Sequence, residues 1–188
     1  MIKTFNYKCV ESTNTTAMTL IKSGEQSPGL VIAQTQTAGK GQYDRTWYSQ
    51  SQDGLYMSYF QPFIEIKKLE FQFSLANTFL SNLADCIDNI TNIHCQCRFP
   101  NDIYLNDKKI AGILTELVSF NEQRYIIVGI GLNINQAEFP QDLSAKATSL
   151  YLETNQQYYK PQFELKISQA IQQVCNDFCY KLQVVTMV

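Results

Sequence analysis

The chain has 188 residues, which is enough for one domain with a substantial buried core. Its composition is 45% hydrophobic and 17% charged, which is typical of a folded protein, and its net charge of −2 argues against a general nucleic-acid binder. The longest apolar runs are far too short to span a bilayer, and residues 1–6 carry no basic-then-apolar targeting signal. We therefore expect a single cytoplasmic domain over residues 1–188, with no membrane partner.

The first third of the chain reads as short strands around one helix and one polar loop. Ser12-Thr13-Asn14 offers N-cap side chains, and Gly39 and Gly41 lie in a stretch without periodicity. The predicted elements are, in chain order, strand Ile2–Val10, helix Thr15–Lys22, strand Leu30–Ala33, loop Gln36–Thr46 and strand Gly54–Phe60.

The remainder contains two long helices that enclose a run of strands. The first helix, Leu69–Ile87, carries an apolar stripe at Phe73, Ala76, Leu80, Leu83, Ala84 and Ile87. Strands are predicted at Ile93–Phe99, Ile103–Leu105, Lys109–Val118 and Tyr125–Ile134, with a turn at Asn106-Asp107. Pro161 opens the last helix, whose stripe is Phe163, Ile167, Ala170, Ile171, Val174, Phe178 and Leu182. This order of elements predicts one α+β domain.

The six cysteines are expected to be reduced thiols, because the chain is not a short secreted scaffold. Cys95 and Cys97 would share one face of a strand, but no second ligand pair accompanies them, so we predict no metal site there. Cys175 and Cys179 lie one helical turn apart and are expected to pack as small apolar groups.

Three polar segments interrupt or end the apolar strands. In the segment Gly39–Arg45, glycines permit close backbone approach and backbone N–H groups can cradle an anion, although an ordinary solvated turn explains the same residues. Near Pro100-Asn101-Asp102, a strand opens at Lys109, which either faces a pocket or is an ordinary hairpin charge. The segment Gly129–Asn135 places glycines inside an apolar strand, which suggests a close neighbour or ligand.

The order of these segments resembles the biotin–protein ligase family over roughly residues 5 to 135. The matching motifs are Ser12-Thr13-Asn14, Thr35–Gly41 with Trp47, Pro100–Ile103, Lys109–Leu114 and Gly129–Asn133. The resemblance implies a core similar to class II aminoacyl-tRNA synthetases, with a mixed, mostly antiparallel sheet backed by helices. It also implies two half-reactions: biotin and ATP with Mg²⁺ give biotinyl-5′-adenylate and pyrophosphate, and a lysine of a biotin carboxyl carrier protein then takes the biotinyl group.

The resemblance also assigns roles to residues. Lys109 is the catalytic candidate, beside the biotin carboxylate and the α-phosphate, where a cation offsets the repulsion between the two anions. The positions that match biotin contacts are Ser12, Thr13, Asn14, Gln36, Lys40, Gly41, Gln42, Lys109 and Gly112. Those that match nucleotide contacts are Lys40, Arg45, Trp47, Asn101, Asp102 and Asn133. An acetyl-CoA carboxylase carrier subunit is the expected acceptor, and a homodimer is left open.

The chain departs from the family pattern in several ways. Its glycine loop has Gln42 and Asp44 where the family has arginine and glycine, so we expect biotinyl-adenylate to be held more loosely. Ser12 comes too early for a preceding helix-turn-helix domain, so we expect a monofunctional protein without a DNA-binding role. Val188 closely follows the last helix, so we expect the family's small C-terminal β-domain to be absent.

Two other functions remain open from the sequence. A lipoate–protein ligase or octanoyl-transferase shares this core fold and modifies the same kind of carrier lysine. Only the Pro-Asn-Asp-Ile and Lys-x-Ala-Gly-Ile-Leu segments favour biotin. A non-catalytic module that binds biotin or an adenylate is the other alternative. Lys109 speaks against that module, because a binder has less need of a cation at the reacting carboxylate.

Overall fold

The structure is a computed structural model, and it describes residues 2–63 and 69–186, without the side chains of residues 44, 69–73 and 180–186. Seven strands form one sheet: β1 (Lys3–Val10), β2 (Gly29–Gln36), β3 (Leu55–Pro62), β4 (Gln96–Arg98), β5 (Asp102–Leu105), β6 (Lys108–Phe120) and β7 (Gln123–Leu132). Four helices accompany them: α1 (Thr13–Lys22), α2 (Leu69–Thr91), α3 (Leu150–Thr154) and α4 (Lys160–Thr186). A short 3₁₀ turn spans Gln42–Asp44.

The strand order is β1-β2-β3-β7-β6-β5-β4, and β1 pairs with β2 in parallel while every other pair is antiparallel. This mixed, mostly antiparallel sheet confirms the predicted α+β architecture. The central strands β3 and β7 are buried along most of their length, which their near-continuous apolar sequence requires. No helix in the described ranges combines the length and the hydropathy that a bilayer crossing needs.

The two faces of the sheet have different covers. Helices α2 and α4 pack on one face, where Met57, Val128 and Ile130 belong to the main core. Helix α1 covers part of the other face. Its Ala17 and Ile21 pack in a second core cluster with strand residues that include Val31, Phe60 and Ile127. Beyond the start of α1, no helix in the described part of the chain covers the second face, and the polar segments lie there.

Most predicted elements are confirmed, with shifted ends. Helix α1 begins at Thr13 and not at Thr15, and the predicted strand Ile93–Phe99 is reduced to β4. The turn at Asn106-Asp107 has positive φ at both residues, as a tight hairpin turn requires. Helix α3 was not predicted. The helical stripes are buried at Leu80, Leu83, Phe163 and Ile167, among others, whereas the side chains of Phe73 and Leu182 lie outside the described residues.

Candidate functional site

One pocket on the uncovered face collects nearly all the predicted site residues. It lies between the start of α1, the glycine loop and strands β6 and β7. The predicted residues that line it are Ser12, Thr13, Asn14, Gln36, Lys40, Gly41, Gln42, Arg45, Trp47, Asn101, Lys109 and Gly112. Segments separated by up to about a hundred residues along the chain therefore meet at one place.

The inner end of this pocket is polar, and hydrogen bonds hold most of its side chains in place. Ser12 precedes α1 but makes no side-chain cap, and the first helical N–H, that of Thr13, donates instead to Gln36 Oε1 at 2.7 Å. The Asn14 amide donates to Glu116 Oε2 at 2.6 Å and accepts from the Ser58 hydroxyl at 2.5 Å. Thr13, Asn14, Gln36 and Ser58 are all buried, so these bonds are shielded from water.

Glycines of β7 form the floor of the pocket because their neighbours leave no room for a side chain. A β-carbon at Gly129 would lie 2.1 Å from Asn14 Oδ1, and one at Gly131 would lie 2.3 Å from Trp47 Cε2. Gly112 of the adjacent strand pairs with Gly131 and also underlies the Trp47 ring. The glycines that the sequence places inside an apolar strand thus allow two side chains to lie directly on the sheet.

Lys109 reaches this face of the sheet through an irregularity in strand pairing. Ile103 pairs with Ala111, but the next residue, Tyr104, pairs with Lys109, so β6 carries one extra residue, Ile110. Ala111 and Ile110 both point into the main core, while Lys109 turns to the pocket beside Gly112.

The Lys109 ammonium sits between a carboxylate and an aromatic ring. Its Nζ lies 2.5 Å from Asp102 Oδ1 and 5.3 Å from the centre of the Trp47 ring. The side chains of Lys109 and Asp102 are only 26% and 19% exposed, so the ion pair is weakly screened by solvent. Asp102 does not itself line the pocket but holds the charge of a residue that does.

A second pocket adjoins the first and shares three of its lining residues, Thr46, Trp47 and Lys109. Its other walls are Tyr48, Asn133, Phe139, Leu143, Lys146 and Ala147. Asn133 is buried here, donating to Thr148 O at 2.9 Å and accepting from Gln136 Nε2 at 3.1 Å. The predicted site is therefore two adjoining pockets whose common wall is Trp47 and Lys109.

The glycine loop closes one side of the first pocket as a small hairpin. Lys40 pairs with Thr46 in an isolated bridge, and the N–H of Gly41 donates to Arg45 O at 2.7 Å. The backbone N–H of Trp47 donates to Gly39 O at 2.8 Å and connects Trp47 to the loop. Lys40 and Arg45 are exposed, so the loop places two cations at the mouth of the pocket.

None of the six cysteines, all of which lie in the described ranges, is in a disulfide bond. Burial raises the pKa of Cys95 and Cys175, which suits packing groups and disfavours the thiolate form. Within the described ranges, no group of three or more His, Cys, Asp or Glu side chains is placed to hold a metal ion.

Sequence reasoning missed two residues of the polar network, Ser58 and Glu116. Ser58 is completely buried within the otherwise apolar strand β3. Glu116 lies on the same face of β6 as Gly112 and Leu114, which line the pocket. A polar residue inside an apolar strand was the available signal in both cases, but neither belongs to a motif on which the prediction relied.

The likeness to known proteins covers most of the chain. A family model described as the biotin/lipoate A/B protein ligase family matches residues 7–133. The bifunctional ligase/repressor BirA of Bacillus subtilis is 37% identical over 145 residues, which make up 75% of this chain and 44% of that protein. The biotin–[acetyl-CoA-carboxylase] ligase of Mycobacterium tuberculosis is 31% identical over 143 residues, or 74% of this chain and 51% of that one. The chain thus spans about half the length, or less, of these two curated relatives.

The fold agrees with this likeness. A solved biotin protein ligase from Aquifex aeolicus, in complex with biotin and ATP, matches with a TM-score of 0.81 and 29% identity. The match covers 96% of this chain and 73% of that one.

Proposed function

This chain belongs to the biotin/lipoate A/B protein ligase family, and on that premise we propose that it activates biotin with ATP and transfers it to a lysine of an acceptor protein. The carboxylate of biotin attacks the α-phosphorus of ATP, the bond to the β-phosphate oxygen breaks, and pyrophosphate leaves. The acceptor amine then attacks the acyl carbon of biotinyl-5′-adenylate and releases AMP. The proposed acceptor is a biotin carboxyl carrier protein of a biotin-dependent carboxylase, since one curated relative carries acetyl-CoA carboxylase in its name.

The observation that carries this proposal is the position of Lys109 in the wall between two pockets. Adenylation must bring a carboxylate against a triphosphate, and a cation where they meet offsets their repulsion. Asp102 holds the Lys109 ammonium in place without entering the pocket. Lys40 and Arg45 add positive charge at the mouth of the first pocket.

The polar inner end of the first pocket favours biotin over lipoate. The cyclic urea of biotin offers a carbonyl and two N–H groups, whereas the dithiolane ring of lipoate offers no comparable hydrogen-bonding groups. Gln36 Nε2 lines this pocket and has no hydrogen-bond partner among the described residues, so it would stay unpaired if lipoate entered. Unpaired buried polar groups are a strong means of rejecting a substrate analogue.

We assign the nucleotide to the second pocket and its border with the first. Tyr48 and Phe139 provide aromatic walls there, and their ring centres lie 6.3 Å apart. The Nε1 of Trp47 is buried and has no hydrogen-bond partner within the described structure, so a ligand oxygen would satisfy it. Asn133 lines this pocket, and Asn101 and Lys109 both line the first pocket. We expect Mg²⁺ to be held mainly by the phosphates of ATP, as this ion usually is.

Biotin-dependent ATP–pyrophosphate exchange tests the proposal. The parent protein should support exchange with biotin and not with lipoate. Lys109→Ala should lower the exchange rate by roughly a hundredfold or more, which is typical for loss of one charge-stabilising group. Lys108→Ala removes the neighbouring lysine at the hairpin turn and serves as the matched control, with a rate close to that of the parent.

The outcomes separate the competing functions. Exchange that depends on lipoate would show that lipoate, and not biotin, is the substrate. Biotin binding without any exchange would indicate a binding module and contradict the proposed chemistry. Equal rates in the parent and in Lys109→Ala would remove Lys109 from the reaction.

A further inference from the structure

A chain of hydrogen bonds runs behind the polar end of the first pocket and ends at a carboxylate. Glu116 Oε2 accepts from Asn14 Nδ2 at 2.6 Å, and Asn14 Oδ1 accepts from the Ser58 hydroxyl at 2.5 Å. The hydroxyl oxygens of Ser58 and Thr13 are 2.7 Å apart. Asn14, Ser58 and Thr13 are each less than 5% exposed, so water does not compete for these bonds.

The carboxylate fixes the direction of every bond in this chain. A carboxylate only accepts hydrogen bonds, so Asn14 must turn its NH₂ toward Glu116 and its oxygen toward Ser58. The single hydroxyl hydrogen of Ser58 is then used on Asn14, and its oxygen accepts from Thr13. All donors point away from the pocket and toward Glu116.

The same hydrogen bonds determine which groups the pocket presents to a ligand. The backbone N–H of Thr13 donates to Gln36 Oε1 at 2.7 Å, so the oxygen of that amide is occupied. Gln36 Nε2 makes no hydrogen bond to the described residues and belongs to a side chain that lines the pocket. The Thr13 hydroxyl oxygen lies 2.7 Å from the Ser58 oxygen and 3.2 Å from Gln36 Oε1, so its hydrogen goes to the nearer partner, Ser58. The Thr13 oxygen then keeps a lone pair for a ligand. The pocket therefore offers an N–H donor beside an oxygen acceptor.

We propose that Glu116 is a positioning residue that sets the hydrogen-bond polarity of this pocket and so selects a ligand with adjacent carbonyl and N–H groups. A cyclic urea has this pattern, so the inference rests on the proposed function and specifies how biotin is recognised. Glu116 acts through Asn14, because it does not line the pocket itself. Asn14 lies directly against the backbone of Gly129, since a β-carbon there would lie 2.1 Å from its Oδ1.

Removal of the acceptor tests the inference. Glu116→Ala leaves the Asn14 amide free to turn over, and the dissociation constant for biotin, measured by calorimetry, should rise by roughly tenfold or more. The dissociation constant for ATP should stay within about twofold of the parental value, and Glu116→Gln, which keeps an acceptor oxygen, should restore most of the biotin affinity. Glu122→Ala, at the exposed tip of the same β6–β7 hairpin, is the matched control.

A ligand-free measurement separates this inference from the proposed function. The side-chain amide resonances of Asn14 and Gln36 in ¹H–¹⁵N spectra should shift in Glu116→Ala and stay near the parental positions in Glu116→Gln. Unchanged resonances and unchanged biotin affinity in Glu116→Ala would overturn the inference. A parallel loss of biotin and ATP affinity would also overturn it, because it would indicate general structural damage. A parent that binds no biotin would contradict the proposed function, while the resonances would still decide the hydrogen-bond chain.

Discussion

Alanine at Gly131 should push the single tryptophan of the chain off the floor of the site. The added β-carbon would lie 2.3 Å from Cε2 and 2.4 Å from Nε1 of Trp47. Carbon atoms in contact are about 3.5–4.0 Å apart, so the gap must widen by more than about 1 Å. Strand β7 is paired with β3 on one side and β6 on the other, so the ring must move and not the strand.

The expected energetic cost follows from this forced displacement. Extra carbon atoms in a tightly packed place usually cost about 1–3 kcal/mol of folding stability. We expect Gly131→Ala to lose stability in that range and to open the wall between the two pockets. The Michaelis constant for ATP in pyrophosphate exchange should then rise, because Trp47 borders the proposed nucleotide pocket.

The assay is intrinsic fluorescence, excited at a wavelength that tryptophan absorbs and tyrosine does not, so that emission reports on Trp47, the single tryptophan. Emission from Gly131→Ala should shift to longer wavelength, because the ring leaves a partly buried position. Gly129→Ala is the matched control, since it adds the same carbon two residues away on the same strand face, where it meets Asn14. That variant should keep the parental emission but lose biotin affinity by roughly thirtyfold, which corresponds to two hydrogen bonds of about 1 kcal/mol each.

Two results would refute this reasoning. Parental emission from a folded Gly131→Ala protein would show that the ring does not rest on the glycine. The same emission shift in both alanine variants would show that distances to single side chains do not control the effect.

Two further variants test the surroundings of the site. Asn133→Ala should lower the free energy of unfolding in urea by about 1–3 kcal/mol, because it leaves the buried Thr148 carbonyl without its donor; an unchanged midpoint and slope would contradict this. Burial raises the pKa of Glu164 above its ordinary value of 4.5, an effect that the nearby Lys160 opposes only in part. The native state therefore holds this proton more tightly than the unfolded state, so ionisation costs stability as the pH rises above 4.5. The free energy of unfolding of Glu164→Gln, relative to the parent, should increase between about pH 4 and about pH 7 in urea titrations. A constant or decreasing difference between the two proteins would contradict this prediction.

The sequence was sufficient for most of the elements and for most of the residues that line the first pocket. Apolar periodicity located the long helices and most strands, because burial of one face imposes a regular spacing. The motif order indicated the residues that line the first pocket, and the glycines at 129 and 131 signalled close neighbours before those neighbours were known. The identity of the neighbours, Asn14 and Trp47, depended on the packing of distant segments.

The same limit applies to the start of α1. The side chains of Ser12, Thr13 and Asn14 were read as caps for a helix beginning at Thr15, since such residues usually bond to helical N–H groups. The helix instead starts at Thr13, and Gln36, from the next strand, accepts the first N–H. The polar side chains of Thr13 and Asn14 are thereby released to the site, which local sequence could not indicate.

The orientation of Lys109 was decided only by the tertiary structure. Regular alternation along β6 would place Lys109 on the same face as Ala111 and Ile113, which are buried in the main core. The extra residue Ile110 reverses this parity and turns the lysine toward the pocket. An irregularity of this kind arises from pairing with a neighbouring strand, so a pattern read along one strand contains the residue types but not the face on which each side chain lies.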